Sequence, residues 1–558
     1  MFGKRFKDIS LEGELFGGVV TAVVSLPVGL AFGVASGAGA EAGLWGAVMV
    51  GVFAALFGGS TSLISEPTGP MTVIMTAVLT SMIAKYPETG MAITFTVVMM
   101  AGAFQVLLGT LKLGKYVTLM PYSVISGFMS GIGVILIILQ LSPLLGHAAP
   151  TGGVMGTLVE LPNTLANINF NELFLGLLTL AILFFFPKQY RKYVPAQLVA
   201  LVAITLLSIF LFNSDSIRRI GEIPTGLPSV IIPHFNLDIF TTMVIDALVL
   251  GTLGCIDTLL TAVIGDSLTR KEHDSDKELR GQGFANMISG LFGALPGAGA
   301  TMGTVTNIQV GARSPLSGII RALVLALVVL VAGGLTEPIP MAVLAGIAVY
   351  VGFNILDWSF IQRAHKISVP GMTIMYGVML LTVFVDLIAA VGLGVFISNI
   401  LIIERLSREQ VRQVRTISDT DGDDVPLNDS ERALLDRANG KLLFLYLSGP
   451  MIFSVSKAIS RQHTKVSDYE VMILDLTDVP MIDMTVGLAL ENAIKDAQDA
   501  QCEVFLLCPN VQTQQQLEKF NIVDLVPGGY TYSHRYEALQ AALKYLDNNE
   551  VKVAVQVV

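Results

Sequence analysis

Charged residues are scarce in this sequence. They make up 14% of the 558 residues, whereas 53% are hydrophobic, and a typical soluble domain carries roughly 25% charge. Between positions 15 and 111 the only charged side chains are Glu41, Glu66, Lys85 and Glu88. The mean hydropathy is +0.68. This composition excludes an ordinary soluble protein for most of the chain and predicts a membrane protein.

Features of several other protein classes are missing as well. The three cysteines, Cys255, Cys502 and Cys508, are too few for a disulfide framework, and none of the six histidines has the spacing of metal ligands. No P-loop or catalytic triad is visible, so we expect neither enzymatic activity, nor an organic cofactor, nor ATP-driven transport. No basic patch indicates nucleic acid as a partner. The first apolar run has no cleavage-like polar end, so we expect no cleavable signal peptide.

Long apolar runs are abundant instead. We count fourteen hydrophobic segments, at 14–36, 42–58, 69–85, 91–111, 120–145, 171–187, 195–213, 241–265, 282–295, 300–311, 315–335, 339–356, 368–386 and 388–404. With the N-terminus inside, 15 Lys and Arg fall in inner loops and three, Lys85, Arg218 and Arg219, in outer loops. This positive-inside bias predicts a multi-pass protein of the cell inner (plasma) membrane with both termini in the cytoplasm.

Two of these segments are broken by glycine and proline. One carries SEPTGPMT at 65–72 and the other PGAGATMGT at 296–304. The helical runs that follow, 71–84 and 301–311, would reach only about 21 Å and 17 Å, short of the ~30 Å hydrocarbon core. They are the third and tenth segments, a spacing that indicates two seven-segment repeats. Such paired breaks point to a transporter's substrate site, although glycine and proline can also merely kink packed helices.

Asp257 is the most informative single residue, because it lies near the middle of the eighth segment. A carboxylate there costs several kcal/mol unless it is paired or faces water. Thr261 follows at i+4 on the same helical face, and two oxygen ligands side by side suit a small hard cation. The alternative is a protonated carboxyl that is hydrogen-bonded to a neighbouring helix. Asp246, on nearly the same face, is more typical of an interfacial residue.

The starts of the two short helices predict an anion site. Each start exposes free backbone N–H groups and a positive dipole end, which together bind an anion without a basic side chain. Thr68, Ala300, Thr301 and Met302 are placed to bind a small oxyanion, and Gly69, like Gly297 and Gly299, permits close approach of the backbone. Glu66, just before Pro67, is expected to line the cavity mouth, or else to be solvated or to cap a helix.

The character of the chain changes after position 404. The segment 406–440 is polar and acidic and is predicted to be a linker. From 441 onward, strands at 442–447, 471–476 and 504–508 alternate with helices at 455–462, 486–500, 512–520 and 536–546. This alternation predicts a small cytoplasmic α/β domain.

Several motifs of this sequence resemble those of the sulfate permease (SulP) family. The matching motifs are SEPTGPMT, SGFMSGIG at 126–133, GCIDTLLT at 254–261 and GAGATMGT at 297–304, and LDLTDVPMIDMT at 474–485 resembles the family's STAS domain. The similarity is greatest to the cyanobacterial sodium-dependent bicarbonate transporters. It implies an α-helical polytopic membrane protein with 14 transmembrane segments in a 7+7 inverted repeat, forming core and gate domains. Its implied organisation is a transport domain at 1–405, a linker at 406–440 and a STAS domain at 441–558.

The resemblance also implies a function and a site. The function is sodium-coupled uptake of bicarbonate by alternating access, in a homodimer held through the STAS and membrane domains. The sodium site would comprise Asp257, Thr261, Gly299 and Thr301. The bicarbonate site would comprise Thr68, Gly69, Ala300, Thr301 and Met302.

One departure from the family pattern bears on the coupling ion. Many animal relatives have an arginine just inside the tenth helix, where this chain has Gly303. A site without that fixed charge needs another positive charge, which a sodium ion at Asp257 would supply. Two alternatives stay open at this point: a proton-coupled carrier of sulfate or a dicarboxylate, and a channel or membrane-anchored scaffold whose output is the STAS domain. In that domain Thr485 stands where bacterial relatives are phosphorylated, and a helix N-cap is its other interpretation.

Overall fold

The protein is described by a computed structural model. It covers residues 10–117, 121–150, 152–187, 189, 195–213, 216–221, 226–332, 334, 336–367, 369–385, 387–411, 413–417, 425–452, 455–462 and 468–556. The chain divides into two compact units, Met1–Ser398 and Asn399–Val558, which we describe separately.

The first unit is almost entirely helical. Its helices are α1 (Leu11–Ala35), α2 (Ala40–Phe57), α3 (Gly69–Lys85), α4 (Gly90–Thr110), α5 (Gly114–Val117), α6 (Tyr122–Leu139), α7 (Leu141–Leu144), α8 (Gly153–Ala166), α9 (Phe170–Phe185), α10 (Ala196–Leu211), α11 (Phe240–Thr269), α12 (Ser275–Leu291), α13 (Thr301–Gln309), α14 (Leu316–Ala332), α15 (Met341–Ile355), α16 (Trp358–Ile367), α17 (Val369–Phe384) and α18 (Leu387–Val411). Each of the fourteen predicted segments overlaps at least one of these helices, whereas α5, α8 and α16 lie outside the predicted segments.

Length and apolar composition allow six of the described helices to cross a membrane. The number rises to seven if α8 and α9, which are bent by 116° at their junction, form one span. Five further apolar helices have between 10 and 17 residues. The helical membrane domain is confirmed, and the count of fourteen spans stays a prediction.

Small residues let the helices of this unit approach closely. Helix α12 packs between α4 and α2. At the α4–α12 crossing, a Cβ atom on Gly102 would lie 2.5 Å from the Gly283 carbonyl oxygen, and the reverse distance is also 2.5 Å. Only glycine fits such a backbone contact, which is typical of helix packing in membranes.

The second unit is an α/β domain with one five-stranded sheet. Its strands are β3 (Val414–Ile417), β4 (Leu442–Ser448), β5 (Val471–Asp478), β6 (Glu503–Leu507) and β7 (Thr531–Tyr532), in the order β3-β4-β5-β6-β7. Strand β3 is antiparallel to β4, and the other pairs are parallel. The helices are α19 (Asp429–Arg437), α20 (Ser456–Gln462), α21 (Met484–Asp499), α22 (Val511–Lys519) and α23 (Arg535–Gln556). Buried apolar clusters cover both faces of the sheet, as parallel strands require.

The predicted α/β class is therefore correct, but the segment predicted as a linker is partly folded. It contains β3, which pairs with β4, and α19, which packs on α23. Helix α19 is held by a capping box in which the Asn428 side chain accepts from the Glu431 N–H. The polar composition hid both elements, because an edge strand and a surface helix each bury few apolar side chains.

Candidate functional site

The two broken segments meet in the first unit. The first break contains the short strand β1 (Ser65–Glu66) and the second contains β2 (Ala298–Gly299). The two strands are antiparallel, with Ser65 opposite Gly299 and Glu66 opposite Ala298. The Ala300 N–H also donates to the Ile64 carbonyl at 2.8 Å. More than 230 positions separate the two segments in the sequence, so tertiary structure alone brings them together. The sequence analysis predicted that the two helix starts share one anion site, but it did not predict that the residues before them pair as strands.

The antiparallel pairing also sets the directions of the two short helices. Helix α3 begins three residues after β1, and α13 begins two residues after β2. Because the strands run in opposite directions, the helices leave the pair at opposite ends, and both N-termini lie next to the strand pair. The preceding residues, Thr68 and Ala300, make no side-chain capping bond to their own helices. The first N–H groups are thus without the usual capping oxygen, as an anion site requires.

Helix α11 connects both breaks through one face. The Thr68 hydroxyl donates to Asp257 Oδ2 at 2.7 Å. One turn later, Thr261 Oγ1 donates to the Gly299 carbonyl at 2.8 Å and lies 3.0 Å from Thr301 Oγ1. Asp257 is 6% exposed and Thr261 1%. The carboxylate therefore points at the first break, while its i+4 neighbour touches the second.

The predicted cation residues offer only oxygen atoms. They comprise one carboxylate from Asp257, the hydroxyls of Thr261 and Thr301, and the Gly299 carbonyl. A small hard cation of single charge prefers such ligands. With one carboxylate and no His or Cys, this donor set differs from those of zinc and calcium sites.

The residues predicted to bind the anion lie at the two helix starts and differ in how far they are exposed. Thr68 and Ala300 are nearly buried, at 8% and 9% exposed, and the Met302 side chain is 44% exposed. A Cβ atom on Gly69 would lie 2.4 Å from Ile355 Cδ1, so glycine lets the start of α3 approach α15. Thr301 is exposed despite its hydroxyl contact with Thr261.

Side-chain amides on α4 and α12 form a hydrogen-bond network with the backbone of the second break. Asn286 and Gln282 on α12 both donate to the Gly297 carbonyl, at 3.0 and 2.8 Å. Asn286 also donates to Gln105 Oε1 on α4 at 2.9 Å and accepts from the Gly297 N–H at 2.8 Å. Gln105 and Asn286 thus form a hydrogen bond between α4 and α12. The backbone N–H and carbonyl of Gly297 in the unwound segment are thus satisfied by side chains.

Glu66 is not solvated as one interpretation of the sequence expected, because it is buried against Arg321, which the sequence analysis did not name. Glu66 is 6% exposed, and its Oε2 lies 2.6 Å from NH1 of Arg321, whose side chain is completely buried. Arg321 is the one charged residue of α14 (LSGIIRALVLALVVLVA). An arginine inside such an apolar run is a functional candidate by default, and that signal could have identified it.

The STAS-like unit also corrects one interpretation. The N-cap of α21 is Asp483, whose side chain accepts from the Val486 N–H at 2.8 Å. Thr485 is therefore the second residue of the helix and not its cap, and its side chain is exposed.

The sequence patterns of two known families match this chain. The Sulfate permease family matches residues 11–378, and the STAS domain matches residues 434–539. "Bicarbonate transporter BicA" of Synechocystis sp. is 57% identical over 541 residues, which cover 97% of this chain and 96% of that protein.

Two solved structures show the same fold. "The transmembrane domain of a cyanobacterium bicarbonate transporter BicA" has 60% sequence identity and a TM-score of 0.66, and covers 68% of this chain and 97% of that one. The murine Solute Carrier 26 family member A9 anion transporter has 20% identity and a TM-score of 0.81, covering 96% of this chain and 92% of that one. The second similarity concerns the fold alone.

Proposed function

This chain belongs to the sulfate permease family, and we propose that it is a secondary transporter that carries bicarbonate into the cell together with sodium. The observation that carries the proposal is the contact of α11 with both breaks: Thr68 with Asp257 at 2.7 Å, and Thr261 with Gly299 at 2.8 Å. One helix thereby places a carboxylate beside two helix N-termini.

Bicarbonate fits this arrangement chemically. It is a small anion with several oxygen acceptors, and the starts of α3 and α13 present uncapped N–H groups and positive dipole ends. The hydroxyls of Thr68 and Thr301 lie at the two helix starts, where they contact Asp257 and Thr261. The name of the relative with 57% identity supports bicarbonate over other oxyanions.

Sodium fits the same place as the coupling ion. An anion bound next to ionised Asp257 would meet a like charge, which is costly at low dielectric. A sodium ion held by Asp257, Thr261, Thr301 and the Gly299 carbonyl would cancel that charge before the anion binds. Since the charge compensation works in both directions, each ion raises the affinity for the other, and this reciprocity is the basis of symport.

The remaining organisation follows the family. We place a transport domain at 1–405 in the inner membrane, with cytoplasmic termini, and divide it into fourteen spans in two inverted repeats of seven. The core domain, which contains α3, α11 and α13, would move against the gate domain to expose the site alternately to the two sides. A homodimer through the STAS and membrane domains completes the assembly.

Asp257→Asn tests the role of the carboxylate. In proteoliposomes with labelled bicarbonate, we expect this variant to lose sodium-dependent uptake, because the amide keeps the shape and removes the charge. Asp246→Asn, on the same helix but eleven residues earlier, is the matched control and should keep it. Undiminished sodium-dependent uptake by Asp257→Asn would refute the proposed site.

Ion replacement separates the proposal from proton coupling. Replacing sodium by choline at a fixed pH gradient should stop uptake, whereas a proton-coupled carrier of sulfate or a dicarboxylate would continue. A panel of labelled bicarbonate, sulfate and small dicarboxylates in the same vesicles then identifies the anion. A scaffold or channel would show no sodium-driven accumulation of any of them.

A further inference from the structure

The pair of Glu66 and Arg321 is the second charged group near the breaks. Arg321 NH1 donates to Glu66 Oε2 at 2.6 Å and to Ser25 Oγ at 3.0 Å, and its NH2 donates to the Ala47 and Ser65 carbonyls at 2.9 and 2.7 Å. The arginine therefore ties α14 to α1, α2 and β1. Both side chains are buried, so their charges are poorly screened by water.

Glu66 lies beside the proposed anion site. It is two residues before Thr68 and belongs to β1, which pairs with β2. A Cβ atom on Gly303 would lie 3.3 Å from Glu66 Oε1, and Gly303 is the third residue of α13. The second carboxylate oxygen thus faces the first turn of the helix whose N-terminus would receive the anion.

A carboxylate at this position opposes anion binding, so its charge matters. With Asp257, Glu66 and Arg321 ionised, the empty site carries one net negative charge. A bound sodium ion would bring it to zero, and bicarbonate would then enter a neutral site. Without the Glu66 charge, Arg321 alone would balance Asp257, and the anion would enter a neutral site even in the absence of sodium.

We propose that Glu66 determines the dependence of anion binding on sodium, because it cancels the charge of Arg321 next to the anion site. Glu66 acts as a positioning and charge-setting residue and touches neither ion itself. This inference rests on the proposed symport function and adds to it the residue that makes the coupling obligatory.

Three variants test the inference in proteoliposomes through the KM for bicarbonate and the half-saturating sodium concentration. Glu66→Gln should lower the KM for bicarbonate at low sodium by about 10- to 20-fold, the factor for a unit charge about 10 Å away at an effective dielectric constant of about 20. It should also raise the half-saturating sodium concentration. Arg321→Gln should shift both quantities in the opposite direction. The double variant, with the same net charge as the wild type, should return both towards wild-type values.

Opposite shifts distinguish charge from structure. A merely structural ion pair predicts that both single variants lose activity in the same direction and that the double variant does not recover. Either result, or an unchanged sodium requirement in Glu66→Gln, overturns the inference. Ser25→Ala removes a hydrogen bond of Arg321 but no charge, and should leave both quantities unchanged.

Two further outcomes keep the test decisive. If Arg321→Gln does not fold, the comparison of Glu66→Gln with the double variant still decides, because only the first should bind bicarbonate at low sodium. If wild-type uptake does not need sodium, the proposed function itself fails. If wild-type uptake needs sodium and Glu66→Gln needs it equally, only the role of Glu66 fails.

Discussion

Gly299→Ala should weaken sodium binding, since Gly299 lies where β2 packs against α11. A Cβ atom there would lie 3.0 Å from Thr261 Cβ, 3.2 Å from Thr258 Cα and 3.2 Å from Leu63 Cδ1. Carbon atoms in good contact are about 3.5–4.0 Å apart, so α11 and β2 must separate by several tenths of an ångström. Two of these neighbours are a backbone atom and a Cβ atom, which cannot rotate away.

The expected magnitude follows from this overpacking. Inserting a methyl group into a packed core typically costs about 1–3 kcal/mol, and ion sites tolerate ligand displacements of only about 0.2 Å. The displaced Gly299 carbonyl and Thr261 hydroxyl should therefore raise the half-saturating sodium concentration by about tenfold or more. The KM for bicarbonate at saturating sodium should change less.

The assay is sodium-dependent bicarbonate uptake by the full-length protein, with its thermal unfolding as a measure of stability. Gly392→Ala in α18 is the matched control, because a Cβ atom there meets no heavy atom within 4 Å. It should leave the sodium dependence unchanged. If Gly299→Ala folds and keeps the wild-type half-saturating sodium concentration within about twofold, the Gly299 carbonyl and Thr261 do not form the cation site.

Two further predictions concern the anion site and the thiols. Thr68→Val removes the donor of the 2.7 Å hydrogen bond to Asp257 and should raise the KM for bicarbonate about tenfold. Thr68→Ser keeps the hydroxyl, so its KM should stay near that of the wild type. Equal KM values for the two variants would contradict a role of this hydroxyl. Cys255, Cys502 and Cys508 are buried, and burial raises the pKa of the Cys502 thiol to about 12 and that of Cys508 to about 11. The native protein should therefore react with iodoacetamide at pH 8 far more slowly than the denatured protein, and rapid labelling of Cys502 or Cys508 in the native protein would contradict the packing described for the STAS domain.

Local patterns in the sequence were sufficient for the main elements of the fold. Runs of apolar residues predicted most helices of the first unit, because a helix in lipid satisfies its own backbone, but α8 and α16 were not predicted. Alternating strands and helices after 441 predicted the second unit. The edge strand Val414–Ile417 was not predicted, since its pairing with β4 depends on a partner about thirty residues away and not on its own composition.

The site was predictable where a residue is anomalous in its own surroundings. Asp257 in an apolar helix, and glycine with proline in an apolar run, each violate the local rule for a membrane segment, so they could be identified without a structure. Arg321 is equally anomalous, because it is a charged residue in the apolar helix α14, and the same local rule identifies it. The ion pair of Glu66 was not predictable for a different reason, since nothing near Glu66 in the sequence shows that its partner lies 255 positions later.

The sequence by itself determined which residues are costly in a membrane, and hence which ones had to find partners. Only the tertiary structure decided the partners: Thr68 for Asp257, Gly299 for Thr261 and Arg321 for Glu66. The physical reason is that the cost of burying a charge or an unpaired backbone group is a local property of the residue, whereas its compensation is a contact between segments far apart in the chain.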